Sequence, residues 1–331
     1  MKSSALDAES MKNRAPLGDR IRLFLRRFAT LVGLVLLIVM FAALKPSIFV
    51  SVQNIRNILV AVAVGGVVAC GQMVVFSLND FDMSMGSNAS MTAIIIGVMM
   101  TKHGIPWPVG ILMGLVIGAF AGAFNGAMVS YVNLNPFIAT MGTLTAYQGV
   151  AYVFNNGATV FDTPHGFNAI GQDSIGPVPY LIIILVVVCI IAYFVMERTT
   201  LGRRWYAAGG NYDASYLAGI RVRRLRFFAF VVSGVASALG GLMLMSRLGA
   251  AEPTMGSALT LNAVAAVFLG MTAFKEGVPN PAGTVVGVLF LGVLLNGLNL
   301  NHVNSYLQQV VTGMVIVGSV ALAGLMKKQR G

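Results

Sequence analysis

Charged residues are scarce in this sequence. Only 10% of its 331 residues are charged, whereas 57% are hydrophobic, and the mean hydropathy is +0.81. A soluble protein of this length needs far more charge to cover its surface with polar groups. The shortage excludes a soluble globular domain and makes lipid the solvent of most of the chain.

Cysteine and histidine are also scarce. The two cysteines, Cys70 and Cys189, both lie in apolar runs, and the three histidines have no partner at ligand spacing. This pattern indicates neither a disulfide framework nor a metal site, so we expect no metal and no cofactor. A phosphate loop of the form GxxxxGK[ST] is missing as well, and no catalytic constellation is present, so we expect no enzyme.

Apolar runs, by contrast, are abundant. A helix needs about 20 mostly apolar residues to cross a bilayer, and ten segments approach that length. We therefore predict an all-α, polytopic membrane protein with about ten transmembrane helices, between a cytoplasmic tail at 1–27 and a second tail at 327–331. The candidate spans, which divide the membrane domain 28–326, are 28–44, 56–78, 87–101, 108–131, 136–154, 180–196, 227–247, 258–274, 282–300 and 306–326.

The positions of lysine and arginine predict the orientation. With the N terminus inside, 18 of the 22 basic residues fall in cytoplasmic segments, as the positive-inside rule requires. The central loop 197–226 holds seven of them, and the long outer loop 155–179 has none. Both termini are therefore predicted to be cytoplasmic. The net charge of +11 is explained by this orientation rather than by a nucleic-acid partner, which we do not expect.

A short acidic motif occurs twice. DFDMSMGS covers residues 80–87 and EPTMGS covers residues 252–257. The two acidic motifs are 170 positions apart, and the Asn-Gly pair at 125–126 recurs 171 positions later, at 296–297. The predicted helices that bear the two Asn-Gly pairs run in opposite directions. These echoes favour an inverted repeat of spans 2–5 and 7–10, which is common in transporters. Coincidence in a chain rich in Gly and Met is the alternative.

The carboxylates of the two motifs have two interpretations. Asp82 and Glu252 each precede an apolar helix, where a carboxylate accepts hydrogen bonds from free backbone amides. Alternatively, the two turns line a translocation path, since irregular backbone at membrane depth is tolerated where it is buried or faces a cavity. Capping is the commoner use, and both interpretations can hold together.

Polar residues inside the predicted spans are neutral. No span holds a charged residue at mid-membrane, which argues against a proton-coupled or sodium-coupled carrier. Amides donate and accept hydrogen bonds and therefore suit a neutral polyhydroxylated solute, although each amide alone is more typical of contacts between helices. The candidate substrate-path residues are Gln72, Asp82, Ser84, Asn125, Glu252 and Asn296.

Glycine recurs every four residues in the fourth predicted span, from Gly110 to Gly126. On a helix these positions form one ridge without side chains, which lets a neighbouring backbone approach closely. We predict a packing role for this ridge and no binding role.

The central loop predicts contact with a partner. Gly209 and Gly210 interrupt the chain, Asn211 is a favoured N-cap, and Gly219 is a favoured helix stop. The two-turn helix between them is too short to be stable alone. It lies on anionic lipid through its flanking arginines, or it docks as a coupling helix into a separate ATPase. For the second alternative, the candidate coupling residues are Gly210, Asn211, Ala214 and Gly219.

With these motifs, the chain resembles the ribose-type permeases of bacterial ATP-binding-cassette (ABC) importers, in a superfamily that also contains branched-chain amino-acid permeases. The resemblance covers about residues 28–326, and its most specific part is the Gly-Gly-Asn, Ala and Gly-Ile pattern of the central loop. The chain departs from the family pattern at Tyr212, Ser215 and Tyr216. The matching segments are DFDMSMGS, EPTMGS, TTLGRRWYAAGGNYDASYLAGI and NGLNLNHVNSYLQQVVTG.

The resemblance implies a multi-pass permease subunit of the bacterial inner membrane that imports a monosaccharide or similar small polyol. It implies a second permease subunit, a cytoplasmic ABC ATPase and a periplasmic substrate-binding protein as partners, with membrane lipid around them. Alternatives are a branched-chain amino-acid or nucleoside ABC permease, and an ATP-independent secondary carrier.

Overall fold

Apolar helices make up most of the computed structural model, which describes residues 28–275 and 277–328. The helices before the central loop are α1 (Ala29–Leu44), α2 (Pro46–Phe49), α3 (Val52–Phe76), α4 (Met85–Lys102), α5 (Trp107–Ser130), α6 (Pro136–Phe154), α7 (His165–Gln172) and α8 (Tyr180–Tyr193). The later helices are α9 (Thr200–Gly210), α10 (Tyr212–Leu217), α11 (Val222–Leu248), α12 (Ser257–Met271), α13 (Pro281–Leu300) and α14 (Ser305–Lys328). An antiparallel hairpin, β1 (Ser174–Ile175) and β2 (Val178–Pro179), precedes α8, and the π-helical turn Phe194–Arg198 follows it.

Five of the described helices are long and apolar enough to cross a membrane. They are α3, α5, α8 with its π-helical turn, α11 and α13. Three shorter apolar helices, α1, α12 and the part of α14 up to Ala321, accompany them. The fold is therefore that of a nearly all-α, polytopic membrane protein. The predicted tail 1–27 and the last three residues lie outside the described part of the chain.

Two segments differ from the sequence prediction. The loop 155–179, predicted to be an outer loop, contains α7 and the β1–β2 hairpin, neither of which the sequence predicted. The predicted chain break at Gly209 and Gly210 is wrong, since α9 continues through both residues. Gly209 packs directly on backbone, because a Cβ added to it would lie 1.9 Å from the carbonyl oxygen of Ser77. Tertiary packing thus overrides the low helix propensity of glycine here.

Helices α3 and α11 pack together and run in opposite directions. At one end, Arg226 Nη2 donates to Asp80 Oδ1 (2.7 Å), so the start of α11 lies at the end of α3. At the other end, the carbonyl of Gln172 accepts a hydrogen bond from Arg56, and its side-chain amide donates to the carbonyl of Arg247. We call the end that carries Arg226 the basic end and the other the opposite end.

Both acidic motifs turn back into the bundle. Ser233 Oγ donates to Asp82 Oδ2 (2.6 Å), which places the turn before α4 beside the middle of α11. Gly86 and Gly256 touch at this point, because a Cβ added to Gly86 would lie 2.3 Å from the carbonyl oxygen of Gly256. Helices α4 and α12 therefore begin next to each other near the centre of the molecule.

Two hydrogen bonds across this centre are reciprocal. Gly86 N donates to Thr260 Oγ1 (2.7 Å), and Gly256 N donates to Ser90 Oγ (2.9 Å). Each donor and acceptor of one bond lies 170 positions from its counterpart in the other. The helices of the two halves pack in the same reciprocal way. Helix α11 packs on α4 and α5 of the first half, and helix α3 packs on α12 and α13 of the second half.

The glycine ridge of α5 packs against α11. A Cβ added to Gly118 would lie 2.3 Å from Ala238 Cβ and 2.5 Å from the carbonyl oxygen of Gly234. A Cβ added to Gly122 would lie 2.2 Å from the carbonyl oxygen of Phe230. The two backbones are in direct contact, so the packing role predicted from the sequence is confirmed.

Substituting Gly118 by alanine should lower the free energy of unfolding by about 1–3 kcal/mol, the usual range for overpacking, because the contacts with α11 leave no room for a methyl group. Thermal unfolding of the purified protein in detergent measures the loss. Gly142→Ala on α6 is the matched control, since no atom lies within 4 Å of its added Cβ. Equal stability of the two variants would contradict the packing role.

Candidate functional site

Helix α10 stands at the basic end as a short exposed helix. Asn211 Oδ1 accepts a hydrogen bond from Ala214 N (2.9 Å) and caps the helix. Gly219 has a φ of 79°, in the left-handed region that favours glycine. The predicted short helix, with this cap and this stop, is confirmed, and it ends at Leu217. All four candidate coupling residues, Gly210 included, are exposed.

Apolar side chains on α10 are uncovered. Leu217 is 85% exposed and Tyr216 is 68% exposed, and Tyr212 on the same helix is also exposed. Large apolar side chains grouped on a protruding segment are typical of interaction sites. The described residues leave this surface free for a partner.

Helix α9 ties α10 to the two central helices. The side-chain amide of Asn79, just after α3, donates to the carbonyl of Gly209, and Gly209 itself packs on the Ser77 backbone. Trp205 Nε1 donates to the carbonyl of Leu225 (3.0 Å), in the first turn of α11. Helix α9 therefore connects α10 to the end of α3 and the start of α11 through direct contacts.

A second set of contacts joins α9 and the π-helical turn before it to the segment after α12. The hydroxyl of Tyr206 donates to the carbonyl of Pro279 (2.9 Å), and Glu197 forms an ion pair with Lys275. Burial, followed by the nearby Glu197 carboxylate, raises the pKa of Tyr206. The Tyr206 hydroxyl therefore remains a neutral donor at physiological pH.

An ion pair between Asp80 and Arg226 lies at the junction of the central loop and α3. Asp80 is only 4% exposed, and its two oxygens accept from Nε (2.5 Å) and Nη2 (2.7 Å) of Arg226. Burial raises the pKa of Asp80, and the hydrogen bonds and charge of Arg226 oppose that shift. The sequence did not predict this pair, because its members are 146 positions apart.

Three candidate substrate-path residues come together in the first half of the chain. Ser84 Oγ donates to Asp82 Oδ1 (2.7 Å) and accepts from Asn125 Nδ2 (2.8 Å). Asp82 Oδ1 also accepts from Ser84 N (3.0 Å), a contact of the capping kind. Each of the three residues is 1% exposed, so protein encloses them in this conformation.

The other three candidates, Gln72, Glu252 and Asn296, form no hydrogen bond with this cluster. Thr254 Oγ1 donates to Glu252 Oε1 (2.8 Å), which repeats the hydroxyl–carboxylate contact of the first motif, but Glu252 is exposed. Asn296 Nδ2 donates to Asn54 Oδ1 (2.9 Å). Gln72 is fully buried, and neither atom of its amide has a hydrogen-bond partner in the described part of the chain.

A cavity of about 490 Å³ lies between α3, α12 and α13. Its aliphatic lining is interrupted by five polar side chains: Asn57, Arg247, Asn262, Asn296 and Asn299. Of the six candidate substrate-path residues, Asn296 alone lines it. Within residues 28–275 and 277–328, no cluster of three His, Cys, Asp or Glu side chains is arranged to hold a metal ion.

Comparison with known proteins gives consistent matches along the chain. Residues 54–320 match the family described as branched-chain amino acid transport system / permease component. The chain is 37% identical over 300 residues to the ribose import permease protein of Bacillus subtilis, covering 90% of this chain and 92% of that protein. It is 31% identical to the D-allose transport system permease protein of Escherichia coli (92% and 94% covered) and 31% identical to the L-arabinose transport system permease protein of Escherichia coli (89% and 89%). No solved structure matches the chain.

Proposed function

This chain belongs to the family of permease components of branched-chain amino acid transport systems, and within that family we propose that it is the membrane permease of an ABC importer for a monosaccharide or similar small polyol. It is a multi-pass protein of the inner membrane. The observation that carries the proposal is its sequence similarity to permeases for ribose, allose and arabinose, with 31–37% identity in alignments that cover 89–92% of this chain.

In the proposed arrangement, ten helices cross the membrane and both termini are cytoplasmic. Helices α3–α6 and α11–α14 form the inverted repeats. Support comes from the antiparallel packing of α3 and α11 and from the reciprocal bonds that Gly86 and Gly256 donate across the centre. The seven basic residues of 197–226 all belong to the basic end, which suits the cytoplasmic side.

Three protein partners complete the proposed transporter: a second permease subunit, a cytoplasmic ABC ATPase and a periplasmic substrate-binding protein. The ATPase would dock on α10, where Tyr216 and Leu217 are uncovered. This sequence contains no GxxxxGK[ST] phosphate loop, so the partner would supply ATP hydrolysis. Membrane lipid would cover the exposed apolar faces of the spanning helices.

The contacts at the basic end suggest how the ATPase drives transport. ATP-dependent closure of the partner would push α10, and α9 would pass the movement to Ser77 and Asn79 at the end of α3. The Trp205 contact would carry it to the start of α11. Because the turn at Asp82 is bonded to the middle of α11, this movement would switch the centre between outward and inward access.

Reconstituted uptake tests the proposed function. Proteoliposomes that hold this chain with its partner ABC ATPase and substrate-binding protein should accumulate labelled D-ribose, D-allose or L-arabinose only when ATP is supplied. Labelled L-leucine and uridine serve as control solutes for the alternative substrate classes. Sugar uptake that persists without the ATPase would favour a secondary carrier, and uptake of leucine in place of sugar would contradict the substrate class.

A further inference from the structure

A pocket of about 430 Å³ lies at the basic end of the molecule, between α9, the stop of α10 and the start of α11. Arg204, Arg221 and Arg224 supply its charged lining, and all three are exposed. The remaining lining residues are small or apolar: Ala218, Gly219, Ile220 and Leu225. Three positive side chains around one space repel one another, so the pocket favours an anion between them.

The chain does not balance the charge of this pocket. Asp213 is the only acidic residue of the sequence between Arg198 and Arg226, and it is absent from the pocket lining. The ion pairs formed among the described residues use other basic side chains, those of Arg226 and Lys275. The side chains of the three pocket arginines form no hydrogen bond with any residue that the structure describes. Their guanidinium donors therefore remain available to a ligand.

The pocket is continuous with an apolar face of α11. Five residues follow one another at spacings of three or four positions and therefore share one side of the chain here: Arg221, Arg224, Phe228, Val232 and Val235. Phe228 is 54% exposed and Val232 is 39% exposed, so neighbouring helices leave this side of α11 uncovered. Arginines followed by uncovered apolar side chains match the boundary between lipid headgroups and lipid tails.

We propose that this pocket binds the phosphate group of an anionic phospholipid, whose acyl chains lie along the Phe228 and Val232 side of α11. The planar fork of donors on arginine matches the oxygens of a phosphate. The apolar face favours a lipid over free phosphate, which would leave that face unused. The proposal uses the cytoplasmic position of the basic end, where the leaflet is negatively charged, and it is independent of the transported solute.

Lipid contact and ATPase docking thus belong to different residues of the central loop. Tyr216 and Leu217 are the uncovered apolar side chains of α10, which suit a protein partner. The arginines of the pocket lie on α9 and at the start of α11. Because Gly219 also lines the pocket, a bound lipid would contact the stop of α10 and join the three elements around it.

Native mass spectrometry of the complete chain tests the site without the ATPase, the binding protein or a sugar. The purified chain, given equal amounts of phosphatidylglycerol and phosphatidylcholine with the same acyl chains, should retain one phosphatidylglycerol in preference. The triple variant Arg204→Gln, Arg221→Gln, Arg224→Gln should bind that lipid roughly 100-fold more weakly, at about fivefold for each arginine. Phe228→Ala should weaken binding several-fold, and millimolar inorganic phosphate should not displace the lipid.

A matched control separates the pocket from the general positive charge of the loop. Arg203 and Arg223 are exposed in the same segment but lie outside the pocket lining, so Arg203→Gln, Arg223→Gln should retain the lipid. Thermal unfolding in lipid-free detergent should be the same for all variants, because the substituted arginines are exposed. The three single arginine variants give the same test if the triple variant does not fold.

Three results would overturn the inference. The first is an equal loss of lipid in the control variant, or no preference for phosphatidylglycerol. The second is displacement of the lipid by inorganic phosphate without any effect of Phe228→Ala, which would indicate a site for free phosphate. The third is unchanged lipid binding by the triple variant together with lost co-purification of the ATPase, which would assign the arginines to that partner. None of these results depends on sugar uptake, so the proposed function is tested separately.

Discussion

Leu217→Asp should reduce ATP-driven sugar uptake to the level measured without the ATPase, while the permease itself stays folded. Leu217 is 85% exposed on α10, so the permease loses no buried contact. An apolar anchor at an interface contributes about 2–4 kcal/mol, which corresponds to binding of the ATPase weakened by roughly 30- to 900-fold. Uptake into proteoliposomes and co-purification of the ATPase measure the two effects, and thermal unfolding should be unchanged.

A matched control is available at the same end of the molecule. Val132 follows α5, is 55% exposed and lies one residue from Tyr131, whose ring packs on Phe227 in the second turn of α11. Val132→Asp should leave uptake intact. Full uptake by Leu217→Asp, or an equal loss in the control, would contradict docking of the ATPase on α10.

Two backbone variants test the same helix in another way. Asn211→Leu removes the cap on Ala214 N, and Gly219→Val places a β-branched residue at a φ of 79°. Both changes disturb the orientation of α10 without touching the membrane helices. ATP-driven uptake should be lost while membrane insertion remains. Normal uptake by both variants would remove the coupling role of these residues.

Arg226→Met should lower the free energy of unfolding by about 3–5 kcal/mol, the usual result of removing one member of a buried ion pair. The substitution leaves the Asp80 carboxylate 4% exposed with no charged partner. The double variant Asp80→Asn, Arg226→Met should regain most of that loss, because no uncompensated charge remains. Thermal unfolding of the three proteins in detergent measures the cycle.

The same variant should respond to pH. Burial already raises the pKa of Asp80 against the opposing effect of Arg226, so removing Arg226 raises that pKa further. A carboxyl group whose pKa is higher in the folded than in the unfolded state favours folding more as the pH falls. The destabilisation of Arg226→Met should therefore shrink at acidic pH. Arg223→Met, at an exposed arginine of the same helix, is the control. A loss that is constant with pH, or equal in the control, would contradict this account.

Local signals in the sequence were sufficient to predict some of these features. Asn211 and Gly219 delimit α10 because capping and left-handed stops depend on residues within one turn of the chain. The ridge from Gly110 to Gly126 predicts close packing because a four-residue spacing defines one helix face. Apolar length alone indicates a polytopic helical membrane protein.

Features that depend on distant parts of the chain were not predictable in this way. The Asp80–Arg226 pair joins two elements 146 positions apart. The continuation of α9 through Gly209 depends on its packing against the backbone of Ser77. The cavity lined by Asn262 and other amides results from the space between three helices, which no single segment encodes.

The candidate substrate-path residues were predicted from residue type, and the structure places them in different surroundings. Asp82, Ser84 and Asn125 form one hydrogen-bonded cluster, whereas Asn296 lines the cavity of the second half. The sequence could not separate these two settings, because an amide between helices and an amide beside a solute have the same local pattern. Their role in the path stays a prediction.

During synthesis, Gly86 reaches the membrane long before Gly256 has been made. The backbone N–H of Gly86 is bonded to Thr260, and the Gly256 backbone covers it. Until α12 arrives, the polar turn that starts α4 has no cover from the second half at membrane depth, where bare backbone groups are costly. We therefore expect helix α4 to reach its final packing only after α12 has been inserted.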